Sequence, residues 1–204
     1  MKNKEVIFIA GYPGAGKGTI CQKYCLEHTD TYHISAGDLI RDVITEKSKS
    51  EFRQALITTG DKKTKVSPPW VISGIMREKI HSENYQLYLL DGFPQRHEEL
   101  NLFANENNGI KIIGSIFFDL QMNHCVERMI GRGIRNFEVF DRNLSDAELI
   151  PYYRQRYTKY HNNTKQIVEL LKAFDLKNLD ASPGIPVVYN QFETIVSNFT
   201  QRRK

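Results

Sequence analysis

The segment Val6-Ile-Phe-Ile-Ala-Gly-Tyr-Pro-Gly-Ala-Gly-Lys-Gly-Thr19 constrains the chain more than any other. A short apolar run, residues 6–10, reads as a buried parallel strand. A glycine-rich turn follows at once, and helical character begins near Thr19 and continues to about Leu26. Strand, glycine loop, lysine, hydroxyl and helix together form a phosphate cradle. Gly11, Gly14 and Gly16 permit backbone angles and close approaches that a Cβ would forbid. The amides of Gly14, Ala15, Gly16, Lys17, Gly18 and Thr19 can then face phosphate oxygens at a positive helix end. Lys17 can reach the β- and γ-phosphates, and the Thr19 hydroxyl can serve a Mg²⁺ shell. The common form of this motif has Ser or Thr directly after the lysine; here Gly18 intervenes.

Further strands are expected at residues 31–35, 86–91, 110–119 and 176–180, with helical patterns between them. Strands separated by helix-length segments imply an α/β fold, a parallel five-stranded sheet flanked by helices. Such sheets bind ligands at the C-terminal ends of their strands. Polar or glycine-rich sequence follows four of the five strands, so these ends are expected to converge on one cleft. Residues 36–80 and 132–144 interrupt the alternation and read as excursions from a core of residues 1–35, 81–131 and 145–204. Ser145 with Glu148 resembles a capping box, placing Pro151 in the first turn of a long helix to about Lys172.

The 204 residues suit one domain with insertions, and 40% hydrophobic with 25% charged residues is ordinary globular composition. A net charge of +4 fits a binder of small anions and gives no argument for nucleic acid. No signal-like segment or membrane span is visible, so a cytoplasmic location is the expectation, and a monomer is expected as well. Three cysteines make no disulfide framework, and Cys21, Cys25 and Cys125 read as buried small hydrophobes. Tyr152, Tyr153, Tyr157 and Tyr160 read as packing of the long helix, Trp70 as a packing anchor, and His161 has no partner pattern.

Three more motifs stand beside the phosphate loop: His33-Ile-Ser-Ala-Gly-Asp-Leu-Ile-Arg41, Asp91-Gly-Phe-Pro-Gln-Arg96 and Glu127-Arg-Met-Ile-Gly-Arg132. Taken together over residues 5–190, the four motifs resemble those of the adenylate kinase and UMP/CMP kinase family. The resemblance implies transfer of the γ-phosphoryl group of Mg-ATP to a nucleoside monophosphate. Such a reaction needs positioning and charge neutralisation more than covalent chemistry, and arginine grips phosphate in a bidentate fork.

By this resemblance, Lys17 and the loop amides hold the ATP phosphates, Arg128 packs on the ATP base, and Arg132 contacts its phosphates. Arg156 bridges toward the transferring group, and Asp91 and Thr19 serve Mg²⁺ through water. Ser35, Ala36, Arg41, Val66, Gly92, Arg96, Glu99 and Arg142 form the acceptor side. Residues 36–80 match the acceptor-binding insertion and 132–144 a short lid. Asp38 reads instead as a helix-start residue, and Arg154 as a surface residue.

The chain also departs from the family. Gln95 stands where members carry arginine, and Arg96 follows it. Glu99 falls where adenylate kinases have glutamine and UMP/CMP kinases asparagine to read the acceptor base. A carboxylate accepts hydrogen bonds but cannot donate them. It suits the amino group of cytosine or adenine, or the donor edge of guanine, and suits uracil poorly; the other reading has Glu99 facing solvent. Ala36, alanine in UMP/CMP kinases and threonine in adenylate kinases, leans toward a pyrimidine. AMP and CMP are therefore the expected acceptors, with UMP poorer. The alternative is a degenerate member that binds nucleotides with little transfer.

Overall fold

The computed structural model describes residues 4–45, 48–59, 67–104, 109–131 and 146–201. Its elements run β1 (Lys4–Gly11), α1 (Lys17–Glu27), β2 (Thr31–Ser35), α2 (Ala36–Ile44), α3 (Arg53–Thr59), α4 (Pro69–Ser82), β3 (Leu87–Asp91), α5 (His97–Ala104), β4 (Ile110–Asp119), α6 (Met122–Gly131), α7 (Asp146–Lys172), β5 (Leu176–Asp180) and α8 (Ile185–Gln201). The strands form one five-stranded parallel sheet, in the order β2-β3-β1-β4-β5, flanked by helices. The central strand β1 is buried along nearly its whole length, which is why it reads as an unbroken apolar run. The edge strands β2 and β5 are only partly buried and correspondingly mixed in sequence.

The chain divides into two compact units, residues 1–9 with 21–114 and residues 10–20 with 115–204. In the first, β3 pairs with β1 and β2 so that Asp91 lies opposite both Ile9 and Ser35. That register places the Ser35 and Asp91 motifs side by side at one strand end. Phe8, Phe93 and Phe103 make an edge-to-face cluster with centroids 5.1–6.1 Å apart, a geometry favoured by the ring quadrupole. The carbonyls at the end of α4 are satisfied from outside the helix: Lys4 Nζ donates to Ile80 O, and the Tyr88 hydroxyl to Ile80 O and Glu83 O.

In the second unit β4 pairs with β5. Phe118 meets Phe192 of α8 at 5.8 Å. Ser115 Oγ donates to Leu171 O at 2.9 Å and to Phe174 O, closing the end of α7.

Four expectations need correction. The first helix begins at Lys17, two residues before Thr19, because the turn of the phosphate loop itself starts the helix. Pro151 is the sixth residue of α7, inside the helix rather than in its first turn; at this depth its missing N–H leaves one carbonyl of the opening turn without an intrahelical partner. The Ser145–Glu148 cap lies outside the described side chains. Cys25 is half-buried, while Cys21 and Cys125 are buried. Trp70 is 48% exposed, and Phe52 is the anchor: its ring lies over Gly74, where a Cβ would come within 2.3 Å of it.

Candidate active site

The phosphate loop belongs to the second unit. Gly11 leaves β1 at φ +141, and a Cβ there would stand 2.4 Å from Phe118 O. Gly14 has φ +81 and lies against the Cys125 carbonyl of α6. Only glycine fits either backbone and either approach. Gly16 and Gly18, in contrast, face open space. Lys17 Nζ donates to Gly11 O at 2.9 Å and Tyr12 O at 3.1 Å, folding the lysine back across the loop. Thr19 is exposed one turn into α1, whose first turn carries no acidic side chain. The positive end of α1 is thus left for an outside anion.

Two arginines frame this half. Arg128 of α6 donates to Ala181 O at 2.8 Å and Ser182 O at 3.2 Å, fixing the loop between β5 and α8. Arg156 is exposed on α7. The neighbouring Tyr157 turns inward and stacks on Tyr12, with centroids 4.7 Å apart. Burial, reinforced by Tyr12, pushes the Tyr157 phenol well above its usual range. Arg154 is exposed, as a surface residue should be.

The first unit carries the other motifs. Ser35 caps α2, its hydroxyl accepting from the Asp38 amide, and Ala36 is buried at the first helical position. Arg41, one turn along, pairs with Asp38. Burial alone would raise the Asp38 carboxyl, but the hydrogen bond with Ser35 and the Arg41 guanidinium outweigh it and hold the group below its ordinary range. Asp91 is half-buried at the end of β3, its carboxylate 3.6 Å from His33 Nε2. Gly92 follows at φ +76, and the exposed Gln95 side chain donates back to the Gly92 carbonyl. A recess of about 370 Å³ opens beside α2 among Ser35, Asp38 and Lys79; it includes none of Arg41, Gly92 and Arg96.

Glu99 does not face solvent. Its side chain is 4% exposed. Oε1 accepts from Arg96 Nε at 2.8 Å and Nη2 at 2.5 Å, and Oε2 from the Gln95 amide at 2.8 Å. The expectation had set a base-reading carboxylate against an exposed one; both carboxylate oxygens are instead occupied within α5 and the turn before it. The signal was present in the spacing: a glutamate at the third helical position reaches back to the helix start.

Val66, Arg132, Arg142 and the whole of 132–144 lie outside the described residues. Among the described residues, no group of three or more His, Cys, Asp or Glu side chains could hold a metal ion, and no helix is long and apolar enough to cross a membrane.

Comparison with known proteins agrees with this architecture. The adenylate kinase family model matches residues 9–176. The chain is 30% identical over 201 residues to UMP-CMP kinase of Danio rerio, covering 94% of this chain and 96% of that protein. It is 29% identical to UMP-CMP kinase 3 of Oryza sativa subsp. japonica, covering 98% and 89%, and 29% identical to UMP-CMP kinase of Homo sapiens, covering 91% and 93%. The match takes in the phosphate loop, the Ser35 and Asp91 motifs and α6, and the chain belongs to the adenylate kinase family, as a phosphotransferase of the nucleoside monophosphate kinase type.

Proposed function

We propose that the protein transfers the γ-phosphoryl group of Mg-ATP to a pyrimidine nucleoside monophosphate, CMP foremost. The observation that carries the donor half is Lys17, held inward by two loop carbonyls beside an open, acid-free helix start. When ATP enters, the lysine exchanges those carbonyls for phosphate oxygens, and the amides of residues 14–19 point at the same charge. Arg128 lines the base side through the loop it fixes, and Arg156 stands ready on α7 for the transferring group. On the acceptor half, Arg41 and Arg96 are the cations for the monophosphate, and Ser35, Ala36 and Gly92 border it.

The residues present fit Mg²⁺. This ion keeps several waters and takes one or two carboxylates plus substrate phosphates, so a dedicated cluster of acidic ligands is not required. The exposed Thr19 hydroxyl of α1 and the Asp91 carboxylate at the end of β3, both hard oxygen donors, would hold it, Asp91 through water. Once bound, the ion neutralises charge on the phosphate oxygens. The chain's own part is to orient the two anions and exclude water, which competes as an acceptor.

Acceptor choice rests on Ala36 and on the relatives, whose names record UMP and CMP as what those proteins act on. The case against UMP required a free Glu99 carboxylate. With that carboxylate committed to Arg96, UMP is no longer ranked below AMP. A coupled ADP-release assay with CMP, UMP, AMP, GMP and their deoxy forms, one at a time, tests the reading. CMP-dependent ADP release is the expected result. ADP formation indifferent to every monophosphate, with nucleotides still raising the melting temperature, would replace the kinase by a nucleotide-binding protein.

A further inference from the structure

Glu99 occupies a position where a side chain could read the acceptor base, yet it is spoken for. It is the third residue of α5, and Leu100 N donates to Arg96 O, so Arg96 caps the helix one turn earlier. Three donors converge on the carboxylate: Arg96 Nε, Arg96 Nη2 and the Gln95 amide. The Glu99 main chain is pinned as well, its carbonyl accepting from Ser73 Oγ of α4 at 2.8 Å. Arg96 is fixed at a third point, Nη2 donating to Ser67 O at 2.7 Å.

We propose that Glu99 is a positioning residue for Arg96, not a reader of the acceptor base, so that Arg96 presents its remaining Nη1 edge to the acceptor phosphate. The proposal rests on the kinase reading above. A carboxylate this buried tolerates its charge only while the guanidinium stays beside it. Turning Glu99 toward a base would strand that charge and free the arginine at the same time. Arg96 is differently placed: its side chain is 33% exposed, and among the described residues Nη1 has no recorded hydrogen bond. A guanidinium offers five N–H donors in a rigid fork. Holding one edge by a carboxylate and a carbonyl aims the other, so the arginine loses little freedom on meeting phosphate. The chain thereby recovers, one residue later, the cation that Gln95 lacks. Phosphate is common to all acceptors, so Glu99 contributes to binding every monophosphate and discriminates none.

The test uses the full-length chain with E99Q, R96K, R96A and the double variant R96A/E99Q. Steady-state kinetics are taken at saturating Mg-ATP with CMP, UMP, AMP and GMP. E99Q keeps the shape of the side chain and a carbonyl oxygen for the Gln95 amide but loses the ion pair. It should raise KM for every accepted monophosphate by a common factor, on the order of 10-fold for one weakened charged contact, with the ranking of acceptors and KM for ATP unchanged. R96K keeps the charge beside Glu99 and guards against a folding failure; it should lose acceptor affinity because the fork is gone. The double variant should be no worse than R96A alone. A changed ranking of acceptors in E99Q, wild-type acceptor KM in R96K, or additive losses in the double variant would each overturn the proposal. Thermal shift by each monophosphate repeats the comparison without turnover. Binding without transfer in the wild type would therefore defeat the kinase reading while leaving Glu99 to be judged, and absence of both would defeat the two together.

Discussion

The phenol oxygen of Tyr12 lies 3.0 Å from Nδ1 of His161. Tyr12 is the residue after Gly11 in the phosphate loop, and His161 sits on α7, five residues beyond Arg156. The contact is set in an aromatic stack: Tyr12 lies nearly parallel to Tyr157 and to His161, and meets Phe117 edge-on at 5.5 Å. The loop proposed for the donor phosphates is thus fastened to the helix that carries Arg156. Tyr12→Phe keeps the stack and removes only the hydrogen bond, so it should cost about 1 kcal/mol of stability. His161→Ala also removes a ring contact, worth about 0.5–1.5 kcal/mol more. Urea midpoints would give both numbers, and KM for ATP should rise in the same order. Equal midpoints for Tyr12→Phe and wild type would mean the hydrogen bond adds nothing.

Two glycines of the phosphate loop separate backbone demand from ligand space. Gly11 has a left-handed φ, and its missing Cβ would meet the Phe118 backbone at 2.4 Å. Gly11→Ala must therefore shift β4 or the loop, a strain of about 3 kcal/mol by comparison with overpacked cores and strained backbones. Gly18 lies in the first turn of α1 with nothing near a built Cβ. Gly18→Ala should stabilise the ligand-free protein by up to about 1 kcal/mol through the lower entropy of its unfolded chain. Thermal melting of the two variants should move in opposite directions; a Gly11→Ala protein as stable as wild type would show that the loop can relax around a side chain.

These contrasts also mark what the sequence could carry. The inner strands β1 and β3 are legible because parallel strands buried on both faces are written as apolar runs, Val6 to Ile9 and Leu87 to Leu90, whereas the mixed edge strands β2 and β5 are legible only from their place between helical patterns. The phosphate loop is legible because its glycines, lysine and helix act within a few residues. What could not be read is how a side chain is shared. Glu99 reads equally as a base contact or a solvated residue until the fold brings Arg96 and the Gln95 amide to it. His161 has no motif, since its partner stands 149 residues away in sequence. Pro151 misplaces the start of α7 because a proline that suits a first turn is also tolerated deeper in when packing holds the helix.

The thiols should be poor nucleophiles. Burial pushes Cys125 up to about 11, and burial pushes Cys25 up to about 11 against a smaller opposing hydrogen bond from the His33 backbone. At pH 8 the thiolate fraction of either is then about 10⁻³. The folded values exceed the unfolded value of about 8.5, so the folded state binds more protons above that pH. The resulting stability is complete below about pH 8.5 and is lost as pH rises toward 11. A thiol-reactive chromophore at pH 8 should label the native protein slowly and all three cysteines quickly in denaturant. Urea midpoints should fall between pH 8 and pH 10, and fall less in a Cys25→Ala, Cys125→Ala double variant. Fast labelling of Cys125 in the native protein would contradict its burial.

Lys17→Met should separate catalysis from folding. The ammonium stands at the N-terminus of α1, where the helix dipole disfavours a cation. Its two hydrogen bonds, to the carbonyls of Gly11 and Tyr12, are only partly buried. Replacing it by an apolar chain of similar length therefore costs little stability, and removal of the unfavourable charge offsets part of that cost. Phosphoryl transfer is different, because the lysine is the loop's one side-chain cation between residues 10 and 20. Loss of a preorganised charge of this kind lowers kcat by about 10²–10³-fold or more. The expected result is a melting temperature within about 3 °C of wild type, a shift of order 1 kcal/mol or less, together with ADP release near background. Near-normal turnover in Lys17→Met would sink the assignment of this loop to the donor phosphates, whatever the acceptor proves to be.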